Sequence, residues 1–124
     1  MRKRAIGILA TAAAFAGVIA TAPSASAEPN PPGCGKGYFC AYSGYDQSGR
    51  LLLRTAGNWS GTIYNVRSTF NNGYAYPGAD HIDQTYTYRG NTYTKCLHYN
   101  PGPGQYKANW ADITLKNVRW RGEC

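Results

Sequence analysis

The sequence contains few of the residues that carry acid–base chemistry. Among 124 residues there are two histidines, His81 and His98, and two glutamates, Glu28 and Glu123. Catalysis needs an acid, a base or a nucleophile grouped in a pocket. Acids flank a histidine only in the segment 80–83, where aspartate commonly has a turn-forming role. This scarcity predicts a protein that is not an enzyme, and a small secreted hydrolase is the alternative that the sequence leaves open.

Long apolar runs are also missing, with one exception near the first residue. Residues 5–22 are apolar and uncharged, follow the cationic Arg2-Lys3-Arg4, and precede the small-x-small motif Ala25-Ser26-Ala27. This order is typical of a signal peptide, so we predict that residues 1–27 are removed and that the remainder is secreted, extracellular protein. The alternative is a membrane anchor, for which the run is slightly short of the roughly 20 residues of a span. After cleavage we expect no contact with a membrane.

A dense stripe of positive charge is absent as well. The chain carries 13 Lys and Arg against six acids, and removal of Arg2-Lys3-Arg4 leaves ten against six, so the net charge falls from +7 to +4. The ten basic residues are scattered singly from Lys36 to Arg121. A nucleic-acid-binding surface usually concentrates its basic residues in one patch. We therefore expect no nucleic-acid partner, and we interpret the charge as a solubility feature.

No segment shows the 3.6-residue periodicity of an amphipathic helix, and the composition is that of a β protein. All eleven tyrosines follow Gly33, and turn sequences rich in Gly, Pro and Asn recur about every 10 residues, the spacing of a β-sandwich or barrel. Residues 28–33 are predicted to be a proline-stiffened, extended lead-in, and residues 34–124 to form one small domain. The predicted strands are Tyr38–Tyr42, Gly49–Arg54, Ser68–Asn71, Thr85–Tyr88, Tyr93–Leu97 and Asn117–Arg121.

The two halves of the predicted domain are weakly similar to each other. In the first half an apolar strand leads through Trp59 to the segment 65–70, and in the second half Cys96-Leu97 leads through Trp110 to the segment 115–120. Two similar halves of four strands each predict a pair of Greek-key motifs packed as a sandwich. The expected fold class is therefore all-β, with crosslinks that matter because so small a domain buries only a modest core.

The four cysteines, Cys34, Cys40, Cys96 and Cys124, all follow the predicted signal peptide. An even number of cysteines in a short exported chain indicates two disulfides, and four cysteines allow three pairings. The separation of six residues between Cys34 and Cys40 is one that a β-hairpin can close. A zinc site is not expected, because the chain has no Cys-x2-Cys spacing and no nearby histidine pair.

Three features of the predicted mature chain resemble a known family. The opening segment 34–40, Cys-Gly-Lys-Gly-Tyr-Phe-Cys, encloses glycine and aromatic residues between two cysteines. Tyr88 and Tyr93 are spaced like the aromatic pair of a crystallin hairpin, and the segments 67–73 and 116–120 close the two halves. With these features the chain resembles the βγ-crystallin-like proteinase inhibitors secreted by actinomycetes, typified by the Streptomyces metalloproteinase inhibitor. The resemblance implies a βγ-crystallin-like sandwich.

The resemblance also implies the disulfides Cys34–Cys40 and Cys96–Cys124 and a monomeric inhibitor of a secreted protease, with metalloendopeptidases as the expected targets. The same fold carries killer-toxin-like proteins, so an antimicrobial or cell-wall-binding module is the alternative function. The segments 64–69 and 112–117 correspond to the crystallin calcium signature. Each has lost a ligand position, and Lys116 places a cation beside the second. We therefore expect no metal and no other cofactor, and a vestigial calcium site is the alternative.

In the family that the chain resembles, the reactive bond joins a disulfide-bonded cysteine to a branched apolar residue. The corresponding bond here is Cys96–Leu97, flanked by Lys95 and His98. A crosslink at Cys96 would make the backbone rigid and lower the entropic cost of binding, and Leu97 would enter the apolar pocket of a thermolysin-like enzyme. The alternative is that Leu97 lies in the core, as apolar residues beside cystines usually do.

Overall fold

The computed structural model describes residues 26–124, so the predicted signal peptide lies outside the described residues except for its last two positions. Within this range the chain is all-β, as predicted, apart from one short 3₁₀ turn at Tyr45–Gln47. The described part contains no helix that is long and apolar enough to cross a membrane. Its strands are β1 (Tyr38–Tyr42), β2 (Leu51–Thr55), β3 (Trp59–Asn72), β4 (His81–Tyr88), β5 (Asn91–Leu97) and β6 (Lys107–Arg121).

The hairpin of β4 and β5 follows directly from its sequence. Threonine and tyrosine alternate along both strands, and such β-branched and aromatic residues suit a pleated, half-buried surface. Tyr86 lies opposite Tyr93 in the antiparallel pairing. The connection is the dipeptide Arg89-Gly90, with φ values of 50° and 82°. Two consecutive positive φ values are what a two-residue type I′ turn requires, so the turn sets the register of the hairpin.

The two longest strands, β3 and β6, pair with each other in the middle of a six-stranded antiparallel sheet of order β2-β1-β3-β6-β4-β5. The register between them shifts three times, and near these shifts Asn65 and Asp112 have φ values of 61° and 77°. Bulges of this kind bend a strand. The sheet consequently folds over itself, and Phe39 of β1 shares one buried core with Ile82 of β4.

The sheet order repeats from one half of the chain to the other. In each half a hairpin, β1–β2 or β4–β5, places its first strand beside one long strand, β3 or β6. Each half has three strands within residues 26–124 where four were predicted, and this order does not confirm the Greek-key sandwich. The predicted strands Ser68–Asn71 and Asn117–Arg121 are the ends of β3 and β6. The bulges interrupt the period-2 alternation, so the pattern indicated only these ends.

Both disulfides have the pairing that the family resemblance implies. Cys34 is bonded to Cys40 and Cys96 to Cys124. The first disulfide packs with Tyr42 in a small buried cluster of its own. The second ties the end of β5 to the last described residue. The main core lies inside the folded sheet and consists of Phe39, Ala41, Val66, Ile82, Leu97, Ile113, Leu115 and Val118.

The predicted lead-in, residues 28–33, is bound to the domain. The backbone of Glu28 exchanges two hydrogen bonds with the side chain of Asn100, both of 2.9 Å. The Glu28 carboxylate accepts hydrogen bonds from the hydroxyl of Tyr106 at 2.7 Å and from Lys107 Nζ at 2.9 Å. The hydrogen bond to Glu28, together with burial, raises the pKa of Tyr106 to about 12. The segment is therefore fixed to the loop before β6 and to the first residue of β6.

Candidate functional site

The predicted reactive bond, Cys96–Leu97, lies at the end of β5 and inside the sheet. In the pairing with β4, Cys96 is opposite Asp83 and Leu97 is opposite Ile82. The Leu97 side chain is 0% exposed and belongs to the main core, which is the placement that the alternative interpretation describes. The predicted entry of Leu97 into a protease pocket conflicts with this burial, because the core would have to open first.

The two flanking residues, Lys95 and His98, are both partly buried. Lys95 lies opposite Gln84 in β4. The backbone N–H of His98 donates to the carbonyl of Gln105 at 2.8 Å, and the His98 ring stacks on Tyr99 with centroids 4.2 Å apart. These contacts hold the segment 95–98 against its neighbours, as in a structural strand end.

Asp80 and His81, the acid–histidine neighbours noted in the sequence, form a buried pair. Asp80 Oδ1 and His81 Nδ1 are 2.7 Å apart, and the two residues are 5% and 3% exposed. The His81 ring meets the His98 ring edge to face, with centroids 4.5 Å apart. Burial alone would raise the pKa of the Asp80 carboxyl, but the N–H of Tyr76 and the His81 ring hold it below its ordinary value. The pair thus keeps a carboxylate charged beneath the surface.

A cavity of ≈290 Å³ lies beside this pair, lined by both histidines, Glu123 and the disulfide of Cys96 and Cys124. A carboxylate that orients a histidine is two-thirds of a nucleophilic catalytic site, whose third member is a hydroxyl or thiol next to the histidine. The described residues that line the cavity include no serine, threonine or tyrosine, and both sulfurs are oxidised. Across residues 26–124, moreover, no group of three or more His, Cys, Asp or Glu side chains is placed to hold a metal ion.

An exposed loop connects β3 to β4, and we refer to residues 73–80 as the 73–80 loop. Five consecutive residues in it, 74–78, are exposed to solvent. Tyr74 and Tyr76 are 63% and 67% exposed, which is unusual for two large aromatic side chains so close together. The segment lies outside the sheet, so its side chains can contact another molecule without any strand separating.

The ends of the 73–80 loop are fixed by two buried side chains, Asn71 and Asp80. The Asn71 amide donates to the carbonyl of Asp80 at 3.0 Å, and its Oδ1 accepts the N–H of Gly73 at 3.0 Å. Asp80 Oδ2 accepts the N–H of Tyr76 at 2.8 Å. Within the loop, the N–H of Ala79 donates to the carbonyl of Tyr76 at 2.9 Å. Two backbone N–H groups of the loop, those of Gly73 and Tyr76, are thus bonded by buried side chains, which hold the exposed residues in place.

A groove of ≈500 Å³ lies beside the loop, with Tyr74, Tyr76 and Trp120 among its lining residues. Glycines allow these rings to approach the backbone: a Cβ at Gly73 would lie 2.7 Å from Trp120, and one at Gly37 would lie 3.0 Å from Tyr74. Gly37 also has a φ of 102°, which side chains rarely adopt. The groove shares Tyr74, Tyr76 and Ala79 with the loop, and no acidic or basic side chain is among the described residues that line it.

The two segments that correspond to a calcium signature contain the bends of β3 and β6. Asn65 and Asp112 both have positive φ there. The guanidinium of Arg67 lies 3.9 Å from the carboxylate of Asp112, and Lys116 Nζ donates to the hydroxyl of Thr62 at 2.7 Å. Positive side chains thus lie where a calcium ion would need oxygen ligands, which does not fit calcium binding.

Sequence reasoning identified the 73–80 loop only as a region of turns. The available signal was the sequence Gly73-Tyr74-Ala75-Tyr76-Pro77-Gly78, in which two tyrosines outside any predicted strand lie between turn residues. The roles of Asn71 and Asp80 depend on contacts that the sequence does not display.

Comparison of the chain with protein-family models, with curated proteins and with solved structures finds no match. The geometry of residues 26–124 therefore carries the functional argument.

Proposed function

We propose that this chain is a secreted inhibitor of an extracellular protease and that it docks through the 73–80 loop. The observation that carries the proposal is a run of five exposed residues, 74–78, on a loop whose two ends are fixed by buried hydrogen bonds. A protease cleft binds an extended, exposed segment. The loop offers such a segment, whereas the Cys96–Leu97 bond does not, because Leu97 lies in the core.

The physical basis is preorganisation. A flexible loop loses conformational entropy when it is bound, and a loop that is already held in one conformation loses less. Asn71 and Asp80 hold this loop from beneath without occupying its exposed face. Tyr74 and Tyr76 add large apolar area with a hydroxyl at the tip, the type of side chain that dominates protein interfaces.

The class of target follows from the family resemblance. The opening segment 34–40 and the repeated hairpin-plus-long-strand halves support grouping the chain with the βγ-crystallin-like inhibitors, whose expected targets are metalloendopeptidases. Thermolysin-like enzymes offer an apolar pocket just after the scissile bond. In the loop, Tyr76 follows Ala75, so the bond between them replaces Cys96–Leu97 as the proposed contact point.

The proposed action is binding without catalysis, by a monomer that needs no metal. Asp80 and His81, the acid and base types that an enzyme would use, are bonded to each other, and Asp80 accepts the N–H of Tyr76 and so supports the loop. Both disulfides add rigidity to a chain of this size.

The test is inhibition of a panel of secreted proteases by the disulfide-bonded chain that begins at Glu28. The panel contains a thermolysin-like metalloprotease and subtilisin-like, chymotrypsin-like and trypsin-like serine proteases. The double variant Tyr74→Ala/Tyr76→Ala should weaken inhibition about 30-fold or more, because truncation of an interface hot spot costs about 2 kcal/mol or more. Tyr64→Ala is the matched control, since Tyr64 is 68% exposed but lies in β3.

Mass spectrometry of the inhibitor after long incubation with the inhibited protease locates the contact. A slow cut between Ala75 and Tyr76, or elsewhere in residues 74–78, supports docking through the loop. A cut between Cys96 and Leu97 would return the reactive bond to the position that the family resemblance implies. If the chain inhibits none of the proteases in the panel, the proposed function is refuted.

A further inference from the structure

A second groove lies between the β4–β5 hairpin and β6, and it shares no lining residue with the groove beside the 73–80 loop. Its volume is ≈230 Å³, and its lining includes Tyr86, Tyr88, Tyr93, Trp110 and Ile113. We refer to these five residues as the aromatic groove. Pockets for drug-sized ligands are about 300–1,000 Å³, so this groove suits a smaller unit, such as one ring of a longer molecule.

The rings of the aromatic groove support each other. Tyr86 is at the centre, stacked on Tyr93 with centroids 5.5 Å apart and planes at 25°. It also contacts Trp110, with centroids 4.4 Å apart and planes at 52°. Ile113 is a buried member of the main core, and Tyr93 is 43% exposed. The groove is therefore a preformed aromatic surface anchored on the core and open to solvent through Tyr93.

The polar groups available in the groove are phenolic hydroxyls. Among the tyrosines of the described residues, Tyr42 and Tyr106 donate their hydroxyls to protein acceptors, whereas Tyr86, Tyr88 and Tyr93 do not. The other polar side chains there already have partners. Trp110 Nε1 donates to Thr69 Oγ1 at 3.2 Å, and the Asn109 amide donates to Asp46 Oδ1 at 2.8 Å. Three hydroxyls, each a donor and an acceptor, are thus available to a ligand.

No acidic or basic side chain is among the residues that line the aromatic groove. The Arg89 guanidinium lies 5.2 Å from the centre of the Tyr88 ring, where it is engaged by the face of that ring. A charged ligand would find no opposite charge within the groove to offset the loss of its hydration. The groove therefore favours an uncharged ligand.

We propose that the aromatic groove binds one uncharged sugar ring of an oligosaccharide or polysaccharide. A pyranose ring has an apolar C–H face that can stack on Tyr86, Tyr93 or Trp110, and hydroxyls around its edge that can bond the three phenolic hydroxyls. An apolar peptide side chain of the same size would cover the phenolic hydroxyls without satisfying them, which is costly. This site is independent of the 73–80 loop and does not rest on protease inhibition.

The experiment is calorimetric titration of the disulfide-bonded chain beginning at Glu28 with N-acetylchitotriose and cellotriose as neutral probes and trigalacturonate as the charged probe. Co-sedimentation with insoluble chitin and cellulose separates recognition of a polymer from recognition of a free sugar. Binding of a neutral trisaccharide or a neutral polymer, but not of the charged probe, is expected. Absence of binding to all neutral probes, or binding of the charged probe alone, would overturn the proposal.

Variants then assign the binding to the groove. Tyr93→Ala should weaken it about 5-fold or more, since stacking on an aromatic ring is worth about 1–3 kcal/mol. Tyr93→Phe, which keeps the ring and removes only the hydroxyl, should weaken it less. Tyr64→Ala is the control for loss of an exposed tyrosine elsewhere. Sugar binding that Tyr93→Ala and Trp110→Phe leave unchanged would place the ligand outside the groove and refute the assignment, whatever the result of the protease assays.

Discussion

The carboxylate of Asp80 accepts a hydrogen bond from the backbone N–H of Tyr76, with 2.8 Å between Oδ2 and N. Asp80 is 5% exposed and Tyr76 is 67% exposed. A buried group therefore fixes the conformation of a surface loop, which explains how the 73–80 loop can be both exposed and ordered. The same carboxylate is bonded to the His81 ring, so the loop is coupled to the start of β4.

Asp80→Asn keeps the size of the side chain and removes its charge. We expect it to lower the free energy of unfolding by about 1–3 kcal/mol, because it weakens charge-assisted hydrogen bonds in a buried site. Urea denaturation measures the change, and amide hydrogen exchange at Tyr76 should become faster. Asp83→Asn is the control: Asp83 forms a partly exposed ion pair with Arg121 at 3.1 Å, worth at most about 1 kcal/mol. Equal losses in the two variants would contradict the role of Asp80.

Acid should remove the contribution of Asp80 to stability. Folding lowers the pKa of the Asp80 carboxyl below its ordinary value of 3.8. Around and below pH 3.8 the unfolded chain therefore binds more protons than the folded protein. The contribution is fully present above pH 3.8 and is lost as the pH falls through the lower folded-state pKa.

Urea denaturation of the wild type and of Asp80→Asn from neutral pH to about pH 2 tests this coupling. The difference between the two proteins should shrink as the pH falls. Burial alone would raise the pKa of the Glu28 carboxyl, but Lys107 and Tyr106 hold it below its ordinary value. Because Glu28 titrates in both proteins, its contribution to stability cancels in the difference. A difference that stays constant across the range would show that the Asp80 charge does not stabilise the fold.

The two disulfides should contribute unequally. Cys96 and Cys124 are 28 residues apart and Cys34 and Cys40 are six apart. By the chain-entropy argument, replacing Cys96 and Cys124 by alanine should cost about 3.5 kcal/mol, and replacing Cys34 and Cys40 by alanine should cost about 2 kcal/mol. Chemical denaturation of the two double-alanine variants gives both values. The reverse order would mean that packing around the Cys34–Cys40 cluster outweighs the effect of loop length.

Gln84 offers a stabilising substitution. It is 0% exposed, and within residues 26–124 neither polar atom of its side chain has a hydrogen-bond partner. Replacing it with methionine, which has a similar size, should raise the free energy of unfolding by about 1–2 kcal/mol, because an unpaired buried polar group is removed.

Gln47→Met is the matched control for Gln84→Met. Gln47 is also buried, but its amide donates to the carbonyl of Thr69 at 3.2 Å. This substitution should therefore destabilise the protein by about 1 kcal/mol. Thermal and urea denaturation of the two variants show whether each substitution raises or lowers the free energy of unfolding. Destabilisation by both substitutions would show that the Gln84 amide is satisfied in solution.

Local patterns in the sequence were sufficient for part of the fold. A short run of aromatic and apolar residues before a turn sequence predicted Tyr38–Tyr42 with the bounds that the structure has, and the even cysteine count predicted two disulfides. The strand predicted at Ser68–Asn71 is only the last part of β3. Its first part mixes exposed residues with the partly buried Trp59 and Ile63 and lacks a period-2 alternation. It is a strand because it pairs with β6, roughly 50 residues away along the chain.

Less of the candidate site could be predicted from the sequence. The family resemblance placed the reactive bond at Cys96–Leu97, but whether Leu97 points outward or into the core depends on which face of β5 meets the opposite sheet half. The exposure of Tyr74 and Tyr76 could be suspected from their turn context. Their ordering by Asn71 and Asp80 could not, because hydrogen bonds between a buried side chain and a loop leave no periodic pattern.

By itself, the sequence determined the all-β class and the two disulfides, because residue propensity, turn chemistry and cysteine count act locally or by composition. Only the tertiary structure decided how β3 and β6 bend and pair, that Leu97 is buried, and that Asp80 supports Tyr76. These features depend on contacts between distant segments, whose free energy comes from burial and hydrogen bonding in the assembled sheet and not from any short stretch of chain.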